Sequence, residues 1–236
     1  MSLDWFDPYE LRARVAPTII IILPLIIMIF SIIQIPESLV SAIISLGIFF
    51  FVVYSVSFVV RELGHKLQKE LWEQWGGAPS SLIMRCEDPR LNFELKKQIY
   101  KKIEKKYKIK LPRQDDQKDH PNIFLKSIED VFNRVRTDLH EKSKDERWEK
   151  QNAEYGFLRN LAGSRLLWCI ISLIGIFGCV LGWILYKNDF TLIGLALNLI
   201  ICICSIAFGW FLSPKAVKDA GFRYAELAWN AFLSLP

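Results

Sequence analysis

The sequence predicts an all-α membrane protein: four transmembrane helices, set as two helical hairpins that flank a cytoplasmic, mainly helical domain. Three observations carry this reading. Four stretches of the 236 residues are uncharged and apolar, residues 15–35, 38–60, 166–186 and 190–212. Each holds about 21 to 23 residues, enough to cross a hydrocarbon core of about 30 Å as a helix. The 30 Lys and Arg almost all lie outside the two short connections between paired runs, where Lys187 stands alone against Glu37 and Asp189. The positive-inside rule then places both termini and the middle of the chain in the cytoplasm. The connections, Pro36-Glu37-Ser38 and Lys187-Asn188-Asp189, have only the length of a tight turn between neighbouring helices. The chain therefore divides into a cytoplasmic interfacial N-terminus (1–14), a first hairpin (15–60), a cytoplasmic helical domain (61–165), a second hairpin (166–212) and a cytoplasmic amphipathic tail (213–236).

The N-terminal segment carries Trp5, Phe6 and Tyr9, aromatics suited to headgroup depth, and Asp7-Pro8 suits a helix start. The first run is full span length and lacks a small-residue cleavage pattern, so it reads as a retained span and not a signal peptide. Pro24 lies inside it and predicts a kink. Beyond the second run the helix is expected to continue, because Leu63, Leu67, Leu71 and Trp75 recur at i, i+4. Gly76-Gly77 should end it, with Pro79 just beyond, and residues 80–86 read as a short extended piece. A helix over 92–108 carries an apolar line of Leu95, Ile99 and Ile103 beside a lysine-rich surface: Lys96, Lys97, Lys101, Lys102, Lys105 and Lys106. Residues 113–122 read as a polar loop. The periodicity of Ile128, Val131, Phe132, Val135 and Leu139 predicts a helix over 123–142.

From about Asp145 the chain returns to the membrane, with Gly156 and Gly163 as expected breaks. In the third run Gly178 and Gly182 form a small-xxx-small pair for close helix packing. Asn198, near the middle of the fourth run, is expected to hydrogen-bond between helices. In the tail, Ser213-Pro214 reads as a helix start. Val217, Tyr224, Leu227, Ala228 and Phe232 then give an apolar face that lies on the membrane or on the cytoplasmic domain.

The composition offers little to catalysis. His65, His120 and His140 lie in different segments, with no partner at a metal-ligand spacing. Glu62 and His65 lack the second histidine of a zinc-protease helix. There is no nucleophile elbow, Walker loop or dinucleotide fingerprint, and no ionisable side chain lies inside any apolar run, which argues against ion-coupled transport. No catalytic residue, cofactor, metal or disulfide is expected. The lysine-rich helix reads first as a plain solvated face; it also suits anionic lipid headgroups, at about 1 kcal/mol per basic residue near the surface, or an acidic or nucleic-acid partner.

Several stretches recur together: FDPYELRAR at residues 6–14, RELGHK at 61–66, LWEQWGGAPSS at 71–81, MRCEDP at 84–89 and NAEYGFLRNLAG at 152–163. With these the chain resembles, over its full length, a family of small, uncharacterised bacterial four-pass membrane proteins. Its marks are a W-G-G-x-P motif after the second span and a Y-G-F-x-R-N motif before the third. The resemblance implies that Trp75, Gly76, Gly77, Pro79, Arg85 and Asp88, with Tyr155, Gly156, Arg159 and Asn160, are signature positions at the membrane junction. Arg85 is expected to pair with Asp88 or with Glu154. Where the family pattern has Lys, Thr-Thr and Leu-Arg-His, this chain has His65, Ser80-Ser81 and Met84-Arg85-Cys86.

The architecture points to a non-enzymatic bacterial inner-membrane effector. Its cytoplasmic domain is triggered and its spans homo-oligomerise to permeabilise or perturb the membrane, by analogy with small effectors of antiphage defence. The alternative is a membrane anchor or sensor that recruits a cytosolic protein or nucleic acid through its basic domain.

Overall fold

A computed structural model describes residues 8–33, 39–112, 116–143 and 146–235. All regular elements among them are helical, and four helices are long and apolar enough to cross a membrane. In chain order they are α1 (Pro8–Ile32), α2 (Leu39–Trp75), α3 (Pro79–Leu82), α4 (Phe93–Tyr107), α5 (Asp116–Asp119), α6 (Pro121–Lys142), α7 (Glu146–Gly163), α8 (Arg165–Tyr186), α9 (Asp189–Ile206) and α10 (Ser213–Ser234). The chain divides into two compact units, Met1–Gln68 with Gly156–Val217 and Lys69–Tyr155 with Lys218–Pro236.

In the first unit α1, α8 and α9 pack on one another. Missing side chains make this possible. A Cβ on Gly178 would collide with the Met28 side chain, one on Gly182 would lie 2.9 Å from Ile32, and one on Gly194 would collide with Ser31. Gly178 and Gly182 therefore serve contacts within the chain. Gly175 likewise lets the Pro24 backbone approach, since its Cβ would lie 3.0 Å from the Pro24 carbonyl oxygen. Close approach of this kind supplies the dispersion contacts that hold helices together in lipid, where apolar side chains gain nothing by leaving one solvent for the other.

Val53 and Val60 of α2 join a core with Ile21, Ile22, Trp168 and Ile171. Only 11% of the most apolar stretch of α2 is buried, against 33% for α1 and for α8, so this helix turns most of its apolar side chains outward. The connection expected at 36–38 lies outside the described residues, as do Trp5, Phe6 and Asp7.

The second unit is built on a core from α4, α6 and α10, including Ile99, Ile103, Phe124, Ile128, Val135, Trp229 and Phe232. Asn92 caps α4, its side chain accepting from the Leu95 amide at 2.8 Å, and Lys108 ends the helix in the left-handed region at φ 59°. Trp229 is fully buried and its indole N–H donates to the Ser80 carbonyl at 2.9 Å.

Four expectations are corrected. Residues 80–86 are not extended, because Pro79 starts a helical turn that buries Ser80, Ser81 and Leu82. Order extends into the expected loop, with α5 at Asp116–Asp119 and Pro121 opening α6. Gly156 does not interrupt α7; its missing side chain admits Ala13, whose Cβ would lie 2.9 Å from a Cβ at position 156. Ser213 is not an N-cap either. Its own backbone is helical and its hydroxyl bonds back to the Gly209 carbonyl at 2.9 Å, inside a run that is helical from Asp189 to Ser234.

Candidate functional site

In the first unit, the charged ends of the four long helices converge. Asn160 of α7 is fully buried and donates to the Ala13 carbonyl at 2.7 Å. Its Oδ1 accepts two bonds from Arg159, from Nε at 3.2 Å and Nη2 at 3.1 Å. Arg159, only 8% exposed, donates through Nη1 to Gln68 Oε1 of α2 at 2.6 Å. Gly64 of α2 abuts Asn160, and the mirror contact is Gly163, whose Cβ would lie 2.5 Å from the Leu63 carbonyl oxygen. Arg165 of α8 donates to the Gly209 carbonyl at 3.3 Å. The starts of α1 and α8 and the ends of the second and fourth apolar runs thus meet in one polar junction.

Two of the carbonyls that receive these side chains, Ala13 and Gly209, lie in the two π-helical segments, Leu11–Val15 and Ala207–Leu212. A π-turn widens the helix and redirects backbone carbonyls. Here both segments turn one carbonyl toward a donor from residues 160–165. No residue type announces such a turn, and the sequence reading missed both.

His65 lies one turn from Arg61, whose Nε approaches His65 Nε2 at 3.4 Å. Burial pushes its pKa below the ordinary 6.5. The Arg159 and Arg61 charges push the same way, Glu62 opposes them and Arg14 adds to them. His65 is therefore neutral near pH 7. The unfolded chain binds this proton more readily than the folded one, so acid favours unfolding. We expect thermal stability to fall as pH drops below 6.5, the ordinary value that the unfolded chain keeps, and His65→Gln to flatten that part of the profile. Melting curves of wild type and variant across this range check it.

The signature positions divide between the units. Gly156, Arg159 and Asn160 belong to the first unit and to this junction. The other seven lie in the second. Gly76 and Gly77 take φ values of +81° and +145°, which end α2 in a conformation that L side chains rarely adopt. Trp75 packs on Phe222 with centroids 6.1 Å apart, and Tyr155 stacks on Tyr224 at 6.3 Å. Gly221 fits between Pro79 and Tyr155. The expected pairing of Arg85 with Asp88 is not what forms. Asp88 binds Arg90 at 2.6 Å, placing that guanidinium 4.0 Å above the Phe222 ring, while Arg85 reaches the Gly76 carbonyl at 3.4 Å. Glu154 is exposed.

The lysine surface is corrected as well. Lys96 is 2% exposed and donates to the carbonyls of Arg85, at 2.5 Å, and Asp88, at 2.7 Å. Lys102 donates to the Leu233 and Leu235 carbonyls at the end of α10. Lys106 pairs with Asp138 at 3.0 Å, which also accepts from Tyr107 and Lys142. Burial alone would raise the Asp138 pKa, but these three donors hold it well below the usual range. Only Lys97, Lys101 and Lys105 of the six are exposed.

No family model, curated protein or solved structure matches the chain. Function must therefore be argued from geometry. Between α8 and α9, Asn198 is fully buried; its Nδ2 reaches Cys179 Sγ at 3.5 Å, and its Oδ1 has no hydrogen-bond partner among the described residues. Ser31, Ser172, Thr191 and Ser205 are buried along the same helices. The packing glycines and Asn198 thus form one polar seam at the meeting of α1, α8 and α9.

Proposed function

We propose that the chain is a non-enzymatic effector of the bacterial inner membrane, with both termini and residues 61–165 on the cytoplasmic side. It self-associates and permeabilises or perturbs the membrane when its cytoplasmic part is engaged. The observation that supports this most is Asn198 in the polar seam. An amide oxygen without a donor in hydrocarbon costs on the order of a few kcal/mol. The bundle with Asn198 buried is therefore stressed relative to one in which the seam faces a wet lumen or donors on a second copy. The junction supports the topology, because it gathers the charged ends of all four long helices, as an even number of crossings with cytoplasmic termini requires. High density in the membrane replaces the trigger by mass action.

The test is membrane potential in bacteria producing the full chain, read with a potential-sensitive dye. Production should depolarise the cells, and Gly178→Leu, which wedges α8 away from Met28, should remove the effect at equal membrane abundance. Unchanged potential in wild-type producers would reject the reading.

One observation favours the alternative, a membrane anchor that recruits a cytosolic partner. Lys97, Lys101 and Lys105 are exposed at i, i+4, i+8 on one face of α4. If recruitment is the function, charge reversal there releases a partner and leaves the membrane potential untouched.

A further inference from the structure

The four buried hydroxyls of the polar seam each give their hydrogen to their own helix. Ser31 donates to the Ile27 carbonyl at 2.7 Å, Ser172 to Trp168 at 2.9 Å, Ser205 to Cys202 at 2.8 Å, and Thr191 to Asn188. A hydroxyl has one hydrogen and two lone pairs, so these side chains can offer their neighbours only oxygen acceptors. Asn198 adds another. Its Nδ2 is directed at Cys179 Sγ, and its Oδ1 has no partner among the described residues. The point that a Cβ on Gly175 would occupy lies 2.9 Å from Asn198 Oδ1 and 3.0 Å from the Pro24 carbonyl oxygen. Two oxygens from α9 and α1 therefore face one spot. Pro24 also has no N–H to give the Ile20 carbonyl, the bond that any other residue at this position of a helix would make.

Donors are scarce at these levels. The thiols of Cys169 and Cys179 are weak ones, and they lie beside Ser205 and Ser31. The Trp168 indole N–H also has no partner among the described residues, but it stands one turn before Ser172, at the junction end of the seam. Ser205 is level with Cys169 and Thr191 with Gly182. From Cys169 to Gly182 the seam therefore covers about 20 Å of α8, most of a hydrocarbon core of about 30 Å. A wall of oxygens with few donors attracts cations and repels anions, as rings of backbone carbonyls do in ion filters. The arginines of the junction act the other way at one mouth. They meet water and salt, which screen them over about 8 Å at physiological ionic strength, whereas screening is weak along the buried seam.

We propose that the seam, once wet, is a cation-preferring pathway, along which monovalent cations pass by Ser172, Asn198, Ser31 and Thr191 more readily than chloride does. This rests on the permeabilising reading and adds the charge of what crosses.

The test is the diffusion potential of sealed phosphatidylcholine vesicles containing the full chain, with concentrated potassium chloride inside and dilute potassium chloride outside, read with a potential-sensitive dye. Neutral lipid keeps headgroup charge from setting the sign. The interior should turn negative, because potassium leaves ahead of chloride, with a several-fold preference. Ser172→Ala and Thr191→Val each remove one oxygen with little change of shape. Each should lower the preference, and the double variant should bring it close to one while the gradient still dissipates. A potassium carrier added at the end reports whether the gradient survives. A potential that appears only then means that the vesicles stayed tight, and the permeabilising reading falls together with this one. A gradient lost without a potential, or with a positive interior, leaves that reading standing and overturns the cation pathway. An unchanged preference in the double variant would overturn the assignment to the seam.

Discussion

Adding one methyl group at position 163 should cost the protein about 3 kcal/mol or more, at the upper end of what overpacking does. Gly163 sits where α7 crosses α2. A Cβ there would lie 2.5 Å from the Leu63 carbonyl oxygen and 2.7 Å from both the Leu63 carbonyl carbon and the Gly64 Cα. All three are backbone atoms, so no rotamer change relieves the clash and the helices must separate. Separation pulls Asn160 from Ala13 and Arg159 from Gln68, the bonds that hold the junction together. Gly163→Ala should therefore melt many degrees below wild type. Gly47→Ala is the matched control, since nothing lies within 4 Å of a Cβ at that position; differential scanning of the two purified variants decides the point. A Gly163→Ala protein as stable as wild type would mean that the α2–α7 crossing is looser than described.

The second large effect is expected at Lys96. Lys96→Met keeps the length and volume of the side chain and removes its three donors. The Arg85 and Asp88 carbonyls lose their charged partner, and the turn over residues 85–88 loses its anchor on α4. Removing the ammonium also removes the cost of burying it, which offsets part of the loss. The net destabilisation should be about 2 kcal/mol, the scale of one or two hydrogen bonds to a charged donor. Lys97→Met on the neighbouring exposed position should change stability by less than about 0.5 kcal/mol. Urea unfolding of both variants, followed by tryptophan fluorescence, measures the difference, because the core of this unit contains Trp148 and Trp229. Equal midpoints for the two variants would show that Lys96 is no more structural than its neighbour.

These two residues also show what the sequence makes legible. The four spans are written in charge and length, and α4 in its cap and in the spacing of Ile99 and Ile103. Lys96 lies on that same line, three residues before Ile99 and seven before Ile103, a spacing that foretells burial. Its residue type suggested a surface cation, and tertiary packing overrode the type. Lys97, Lys101 and Lys105 follow the opposite i, i+4 line and are the exposed ones. Gly163 was legible as a special position but not as a crossing point, because the partner backbone that forbids a side chain comes from Leu63, a hundred residues away. α10 shows a third limit. Its aromatic face suits a membrane surface and a protein core equally well, and only the described packing puts Trp229 and Phe232 inside. The π-helical segments had no signature, since what distinguishes them is the donors that Asn160 and Arg165 direct at their carbonyls.

The central claim, that the spans open the bilayer, is tested most directly with purified full chain in sealed vesicles of phosphatidylethanolamine and phosphatidylglycerol. The readout is release of an entrapped small dye as the protein-to-lipid ratio rises. The account predicts release that climbs more steeply than in proportion to protein, as self-association requires, and that is absent for Gly178→Leu incorporated to the same level. Vesicles that stay tight at every ratio, with folded protein confirmed in the membrane, would contradict it.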